Sequence, residues 1–136
     1  MDEIDKRILD ILRRNARSSY TAISKELNLS EGTIRKRVKN LVESGVIRRF
    51  TIETSVIGVR ALVLISTATS TPTSKVAEEI AAIRGVESVF EVTGEFDVTA
   101  LIHGDRVADV NRTIDDIRGV QGVSITRTLF VLRSWL

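Results

Sequence analysis

The sequence predicts an α+β chain in two parts: three helices, then the order β-α-β-β-α-β. Three observations carry this. Residues 3–42 repeat apolar side chains three and four apart, the period of helices packed through one face. From residue 61 onward, short β-prone apolar runs alternate with two further helical stretches. Within that half, Ile83-Arg84-Gly85-Val86 recurs as Ile117-Arg118-Gly119-Val120, each copy where a helix should stop at Gly and a strand begin. Two βαβ halves predict a ferredoxin-like sandwich, with helices on one face of a four-stranded antiparallel sheet.

The first helix spans Glu3 to Arg14, with Ile4, Ile8, Leu9, Ile11 and Leu12 on its apolar side. Ser18 or Ser19 caps a second helix, Tyr20 to Leu27, that buries Ala22, Ile23 and Leu27. Asn28 tolerates the left-handed turn that follows, and Leu29 drops inward. Ser30 then caps a third helix with the stripe Ile34, Val38, Leu41 and Val42, closed at Gly45. Helix, tight turn and helix over Tyr20 to Leu41 is the helix-turn-helix layout. Val46 to Ile52 is β-prone and suits a short strand or wing.

The second half opens with a strand at Ala61 to Ser66, and Pro72 marks a helix start. A helix over Lys75 to Arg84 buries Val76, Ile80 and Ile83. Strands follow at Val86 to Thr93 and Phe96 to His103, joined by a tight Gly94-Glu95 turn. A helix over Arg106 to Arg118 buries Val107, Val110, Ile114 and Ile117, and Val123 to Arg133 is the last strand. This divides the chain into a helix-turn-helix domain at 1–49, a connector at 50–60 and a sheet domain at 61–136. Several strands are apolar in both phases, so the sheet face away from the helices calls for a partner, most simply a second copy. Trp135 reads as a packing anchor and His103 as a solvated loop residue.

The function classes narrow by composition. With no Cys and a single His, the 136-residue chain has no disulfide, thiolate nucleophile, Cys-ligated zinc or triad. No metal, cofactor or catalytic residue is expected, and the absence of Cys suits the cytoplasm. No stretch is long and apolar enough for a membrane span. The net charge of +2 is uneven: residues 1–60 hold 13 Lys and Arg against 8 Asp and Glu, residues 61–136 hold 7 against 10. The third helix carries Arg35, Lys36, Arg37 and Lys39 with no acid from Gly32 to Val42. A short helix anchored by one face and basic on the others suits a groove of double-stranded DNA. Gly32, Thr33 and Lys36 are placed for base edges, with Arg35, Arg37 and Lys39 flanking them. Ser30, Tyr20 and Thr21 sit at helix N-termini, whose N–H groups suit phosphate; Tyr20 equally suits packing on the first helix.

Particular residues resemble the Lrp/AsnC family of feast/famine transcription regulators. Asp5 to Leu12 is similar to that family's first helix. Leu29-Ser30, Thr33-Ile34, Arg37-Val38, Leu41 and Gly45-Val46-Ile47 resemble its recognition-helix signature. Thr93-Gly94-Glu95-Phe96-Asp97 resembles the Gly-x-x-Asp turn of its effector domain. The resemblance spans essentially the whole chain. It implies a homodimer through the sheets, often assembled to an octamer, and an effector, commonly an amino acid, near that turn where dimers meet. It also favours Arg37 as a phosphate contact. Asp97 would answer an ammonium and turn N–H groups a carboxylate, while Thr126 and Thr128, on one face of the last strand, would line the pocket. Without the resemblance, Gly94 equally permits a plain hairpin and the threonines equally favour strand. The rival readings are a nucleoid-type architectural DNA-binding protein without a ligand and, last, a small enzyme.

Overall fold

The computed structural model describes residues 1–55 and 57–135. Val56 of the expected connector and Leu136 lie outside the described residues. The chain forms two compact units, Met1–Glu53 and Thr54–Leu136.

In the first unit, α1 (Glu3–Arg14), α2 (Tyr20–Leu27) and α3 (Glu31–Glu43) begin and end on the residues that local chemistry favours. Asp2 caps α1 reciprocally: its carboxylate accepts from Asp5 N at 2.9 Å, and Asp5 accepts from Asp2 N at 3.0 Å. Ser19 accepts from Ala22 N, and Ser30 from Thr33 N, both at 3.1 Å. Asn28 takes φ 55°, ψ 47° and turns α2 into α3. Ile8, Ile11, Leu12, Ile23, Ile34, Val38 and Leu41 form the core. Three side chains, Ala22, Ser24 and Val42, depart from the periodic reading. Ser24 is buried where Ala22 was expected, because its hydroxyl donates to Thr21 O at 2.8 Å and so leaves no polar group unpaired. Val42 lies past the edge of the stripe and is exposed. No wing strand is present among residues 46–53, since the unit supplies no second strand for a ladder.

The second unit contains β1 (Val59–Thr67), α4 (Thr73–Ala81), β2 (Val86–Glu91), β3 (Val98–Gly104), α5 (Val107–Arg118) and β4 (Val123–Phe130). All pairs are antiparallel, in the order β2-β3-β1-β4. Ala61, Val63 and Ile65 of β1 pack with Val98, Ala100 and Ile102 of β3 beneath Val76, Ile80, Val110, Ile114 and Ile117. Val107, expected inside, opens α5 and is exposed.

The repeat in the sequence is out of step with the repeat in the structure. Gly85 has φ +94°, and its carbonyl accepts from His103 N at 2.8 Å. Its structural equivalent is Gly122, with φ +99° and a carbonyl that accepts from Ala68 N at 2.7 Å. Gly119 has φ −77° and simply closes α5.

The other sheet face carries Leu62, Leu64, Phe90, Leu101, Ile125 and Leu129, as the register shows. Leu62 stands opposite Leu101 on one side and Leu129 on the other. Among the described residues, no helix of the second unit covers it. Its polar end is Arg60, Glu87 and His103, with Arg60 Nε 3.1 Å and His103 Nδ1 3.4 Å from Glu87 Oε1. His103 lies within β3, at the end of the expected strand, and its side chain is half exposed. Trp135, expected as a packing anchor, is 83% exposed and belongs to neither core among the described residues; β4 ends at Phe130, with Val131 N still donating to Arg60 O at 2.9 Å.

Candidate nucleic-acid interface and effector turn

Because successive helical residues turn by about 100°, α3 sorts its polar side chains into three groups. Gly32 and Lys36 lie opposite the buried stripe, with Thr33 and Asn40 on one shoulder and Lys39 on the other. Lys36 is exposed and makes no ion pair among the described residues. A Cβ on Gly32 would meet nothing within 4 Å, so a partner can approach the backbone there. Lys39 reaches Glu43 at 3.7 Å, one turn on, an exposed pair of little strength. Ser30 has its hydroxyl committed to the cap and to Thr33 Oγ1 at 2.7 Å.

Arg35 turns toward α2. Its guanidinium bonds Glu31 at 3.0 Å and lies 5.0 Å from the centre of the Tyr20 ring. Thr21 donates to the other oxygen of Glu31 at 2.8 Å. The Thr21 hydroxyl, then Arg35, hold the Glu31 carboxyl below its ordinary pKa. Tyr20 thus both packs against the core and carries Arg35.

Arg37 turns the other way. Its NH1 lies 2.8 Å from Asp2 Oδ2 and 2.8 Å from Asp5 Oδ1. The Asp5 N–H, then Arg37, keep the Asp2 carboxyl below its usual range, and Asp2 and then Asp5 push the guanidinium pKa up. A depressed carboxylate contributes stability above the ordinary carboxylate range and loses it as pH falls through the depressed value. The first unit should therefore melt at a constant temperature down to about pH 4 and at falling temperatures below it. Thermal unfolding of Arg37→Ala should start lower at neutral pH and show a shallower acid limb. A limb as steep as the wild type's would mean that Arg37 leaves the acids unperturbed.

In the second unit, Gly94 stands at φ +119° in an exposed turn, with open space where a Cβ would be. Asp97 closes the turn. Its backbone N donates to Ile65 O at 2.9 Å, and its Oδ2 accepts from Thr67 N at 2.7 Å and Thr67 Oγ1 at 3.2 Å. Oδ1 accepts no hydrogen bond among the described residues, so half of the carboxylate is open to a ligand. Thr67 Oγ1 also lies 3.1 Å from Thr73 Oγ1 at the start of α4.

Thr126 and Thr128 do share a face, but it is the helix-covered one. They stand opposite the buried Ile65 and Val63, and Thr126 Oγ1 accepts from Arg118 Nε at 3.2 Å. β1 lies between them and Asp97, so within one chain these residues do not line a common pocket. The side chain that does lie by the turn is Arg127, in the opposite phase of β4. It is 3.7 Å from Glu95 and 5.6 Å from the Phe96 ring centre. Strand alternation alone could have separated Arg127 from the threonines, but not said which phase meets the turn.

Residues 1–48 match a family model described as winged helix-turn-helix DNA-binding, and residues 60–136 match one described as the Lrp/AsnC ligand binding domain. The HTH-type transcriptional regulator LysM of Sulfurisphaera tokodaii is 46% identical over 136 residues, covering 99% of this chain and 97% of that one. The regulator of the same name in Saccharolobus solfataricus is 45% identical over 136 residues, covering 99% and 96%. A solved feast or famine regulatory protein from M. tuberculosis, complexed with L-methionine, superposes with a TM-score of 0.84 at 23% identity, covering 99% of this chain and 94% of that chain, a likeness of fold. The two LysM relatives are transcription regulators and not enzymes. The chain belongs to the Lrp/AsnC family of transcription regulators, with a DNA-binding helix-turn-helix and a ligand-binding domain.

Proposed function

We propose that this regulator recognises a specific sequence in double-stranded DNA through α3, works as a homodimer that can assemble to an octamer, and is tuned by an amino acid bound at the Gly94–Asp97 turn. The observation that carries this is Lys36: an exposed cation, without an ion pair among the described residues, on the helix face opposite the buried Ile34, Val38 and Leu41. Gly32, Thr33 and Lys36 meet base edges. Arg35, Lys39 and the N-termini at Tyr20, Thr21 and Ser30 meet phosphates. The apolar sheet face supports the homodimer. The free Oδ1 of Asp97 supports an ammonium partner, with the effector's carboxylate on N–H groups of the Gly94 turn. Thr126 and Thr128 would act only from beneath the sheet. The setting is the cytoplasm, where such a regulator meets its operator.

The test uses a DNA fragment selected from a random pool by the wild-type protein, and calorimetry with each of the twenty amino acids. Lys36→Ala should weaken binding to the selected fragment by about 1–3 kcal/mol and relax sequence choice. At least one amino acid should bind the wild type and shift its DNA affinity, by no more than its differential affinity for the two states. Asp97→Asn keeps an acceptor for Thr67 but loses the charge, and should bind that amino acid at least about tenfold more weakly, or about 1.4 kcal/mol. Equal binding by both proteins would place the site elsewhere. If no amino acid binds the wild type, the ligand-free architectural reading replaces this one.

A further inference from the structure

The basic row of α3 looks uniform in sequence, yet Arg37 differs from its neighbours in every structural respect. It is 27% exposed, against 64% for Arg35 and 71% for Lys39. Its partners are the N-cap of α1 and a residue of its first turn, both more than 30 positions earlier in the chain. Asp5 is the less exposed of the two, at 15%. The two acids are also the reciprocal cap of α1. Two carboxylates at a helix N-terminus suit the positive end of the helix dipole. A guanidinium there would be repelled by that end alone, and is held because the two acids outnumber it.

We propose that Arg37 is a positioning residue that sets the rotation of the recognition helix against α1, and is not a phosphate contact. The physical need is clear. Otherwise α1 and α3 share a core of Ile, Leu and Val side chains, and apolar packing is non-directional. Two charge-assisted bonds from one nitrogen to two fixed oxygens supply direction. Lys36 precedes Arg37 by one residue on the same helix, so any rotation of α3 about its axis carries Lys36 off its aim. A DNA phosphate would have to displace two carboxylates already in place. The inference rests on α3 being the element that enters the groove.

The two roles predict opposite signs. If Arg37 holds a phosphate, Asp5→Asn removes a competing acid and tightens DNA binding. If Arg37 positions α3, Asp5→Asn loosens the clamp and weakens binding, although the protein gains positive charge. The experiment compares full-length wild type, Arg37→Ala, Asp5→Asn and Lys36→Ala on the selected DNA fragment and on calf-thymus DNA at four salt concentrations. Circular dichroism fixes a temperature at which each variant is folded. Asp2→Asn, at the more exposed acid, replaces Asp5→Asn if the latter does not fold. The expected result is that Arg37→Ala and Asp5→Asn each lose about tenfold or more on the selected fragment. Both should bind calf-thymus DNA like the wild type, with an unchanged salt slope. The proposal is overturned if Asp5→Asn binds the selected fragment as tightly as wild type or tighter. It is also overturned if Arg37→Ala weakens both DNAs alike and lowers the salt slope by about one. Lys36→Ala separates the two readings: unchanged binding by that variant removes α3 from the groove, and the clamp's purpose with it.

Discussion

Gly122→Ala should destabilise the sheet unit by about 2–5 kcal/mol, whereas Gly119→Ala should leave it within about 0.5 kcal/mol. At Gly122 the backbone has φ +99°, and a Cβ would stand 2.7 Å from Thr71 Cβ and 2.9 Å from Val76 Cγ2. Val76 is fully buried, so it cannot swing aside. Strain and overpacking therefore add. At Gly119 the backbone is ordinary helix, and the nearest atom is Asp116 O at 3.4 Å. Alanine there even restricts the unfolded chain slightly. Hydrogen exchange of the β-strand amides in urea reads the sheet unit apart from the helical one. A loss at Gly119 with none at Gly122 would restore the alignment that the sequence echo suggests.

The second large effect is on assembly. Leu62 and Leu129 are cross-strand neighbours on the uncovered face, 37% and 53% exposed in the single chain. Burying them against a second copy removes apolar area from water at about 25 cal/mol per Å². A two-fold axis presents each substitution twice. Replacing both by Asp would place four carboxylates in that interface without partners. The dimer should weaken by at least a thousandfold in Kd, about 4 kcal/mol. The folded monomer should barely change, since both side chains already meet solvent there. Sedimentation equilibrium of the full-length protein distinguishes the outcomes. A dimer of wild-type strength in the double variant would mean that the sheets do not meet through this face.

Much of the fold was legible because the determinants are local. Ser19, Ser30 and Asn28 set the helix-turn-helix by caps and one left-handed residue, and such signals act over a few positions. The strand and helix order of the second half followed from periodicity in the same way. The misses share another cause. Val42 and Val107 are apolar residues at the margins of apolar stripes, where the neighbouring element decides burial. The wing expected at Val46 to Ile52 failed for want of a second strand, which no propensity can supply.

The candidate sites divide along the same line. That α3 is basic, capped and amphipathic is written in residues 30–45, as is the Gly94 to Asp97 turn. Which cations remain available is not. Charge counting treats Arg35, Lys36, Arg37 and Lys39 as one row. Spacing alone offers Arg35 its pair with Glu31 one turn back, but only packing sets Arg35 over Tyr20, holds Arg37 between Asp2 and Asp5, and leaves Lys36 open to a partner. Likewise, alternation along β4 places Thr126 and Thr128 together, but the register with β1 turns them under the helices and brings Arg127 to the turn. By itself the sequence determined what repeats over three to five residues: helices, caps, turns and the identity of the charged groups. The tertiary structure decided whatever depends on residues far apart in the chain: the face each strand shows, the long-range partners of Arg37, and that Gly122 rather than Gly119 shares the positive φ of Gly85. The physical reason is range. Backbone preference, capping and pairs three or four residues apart act within one turn, whereas burial, sheet register and ion pairs such as Arg37 with Asp2 and Asp5 exist only once distant segments meet.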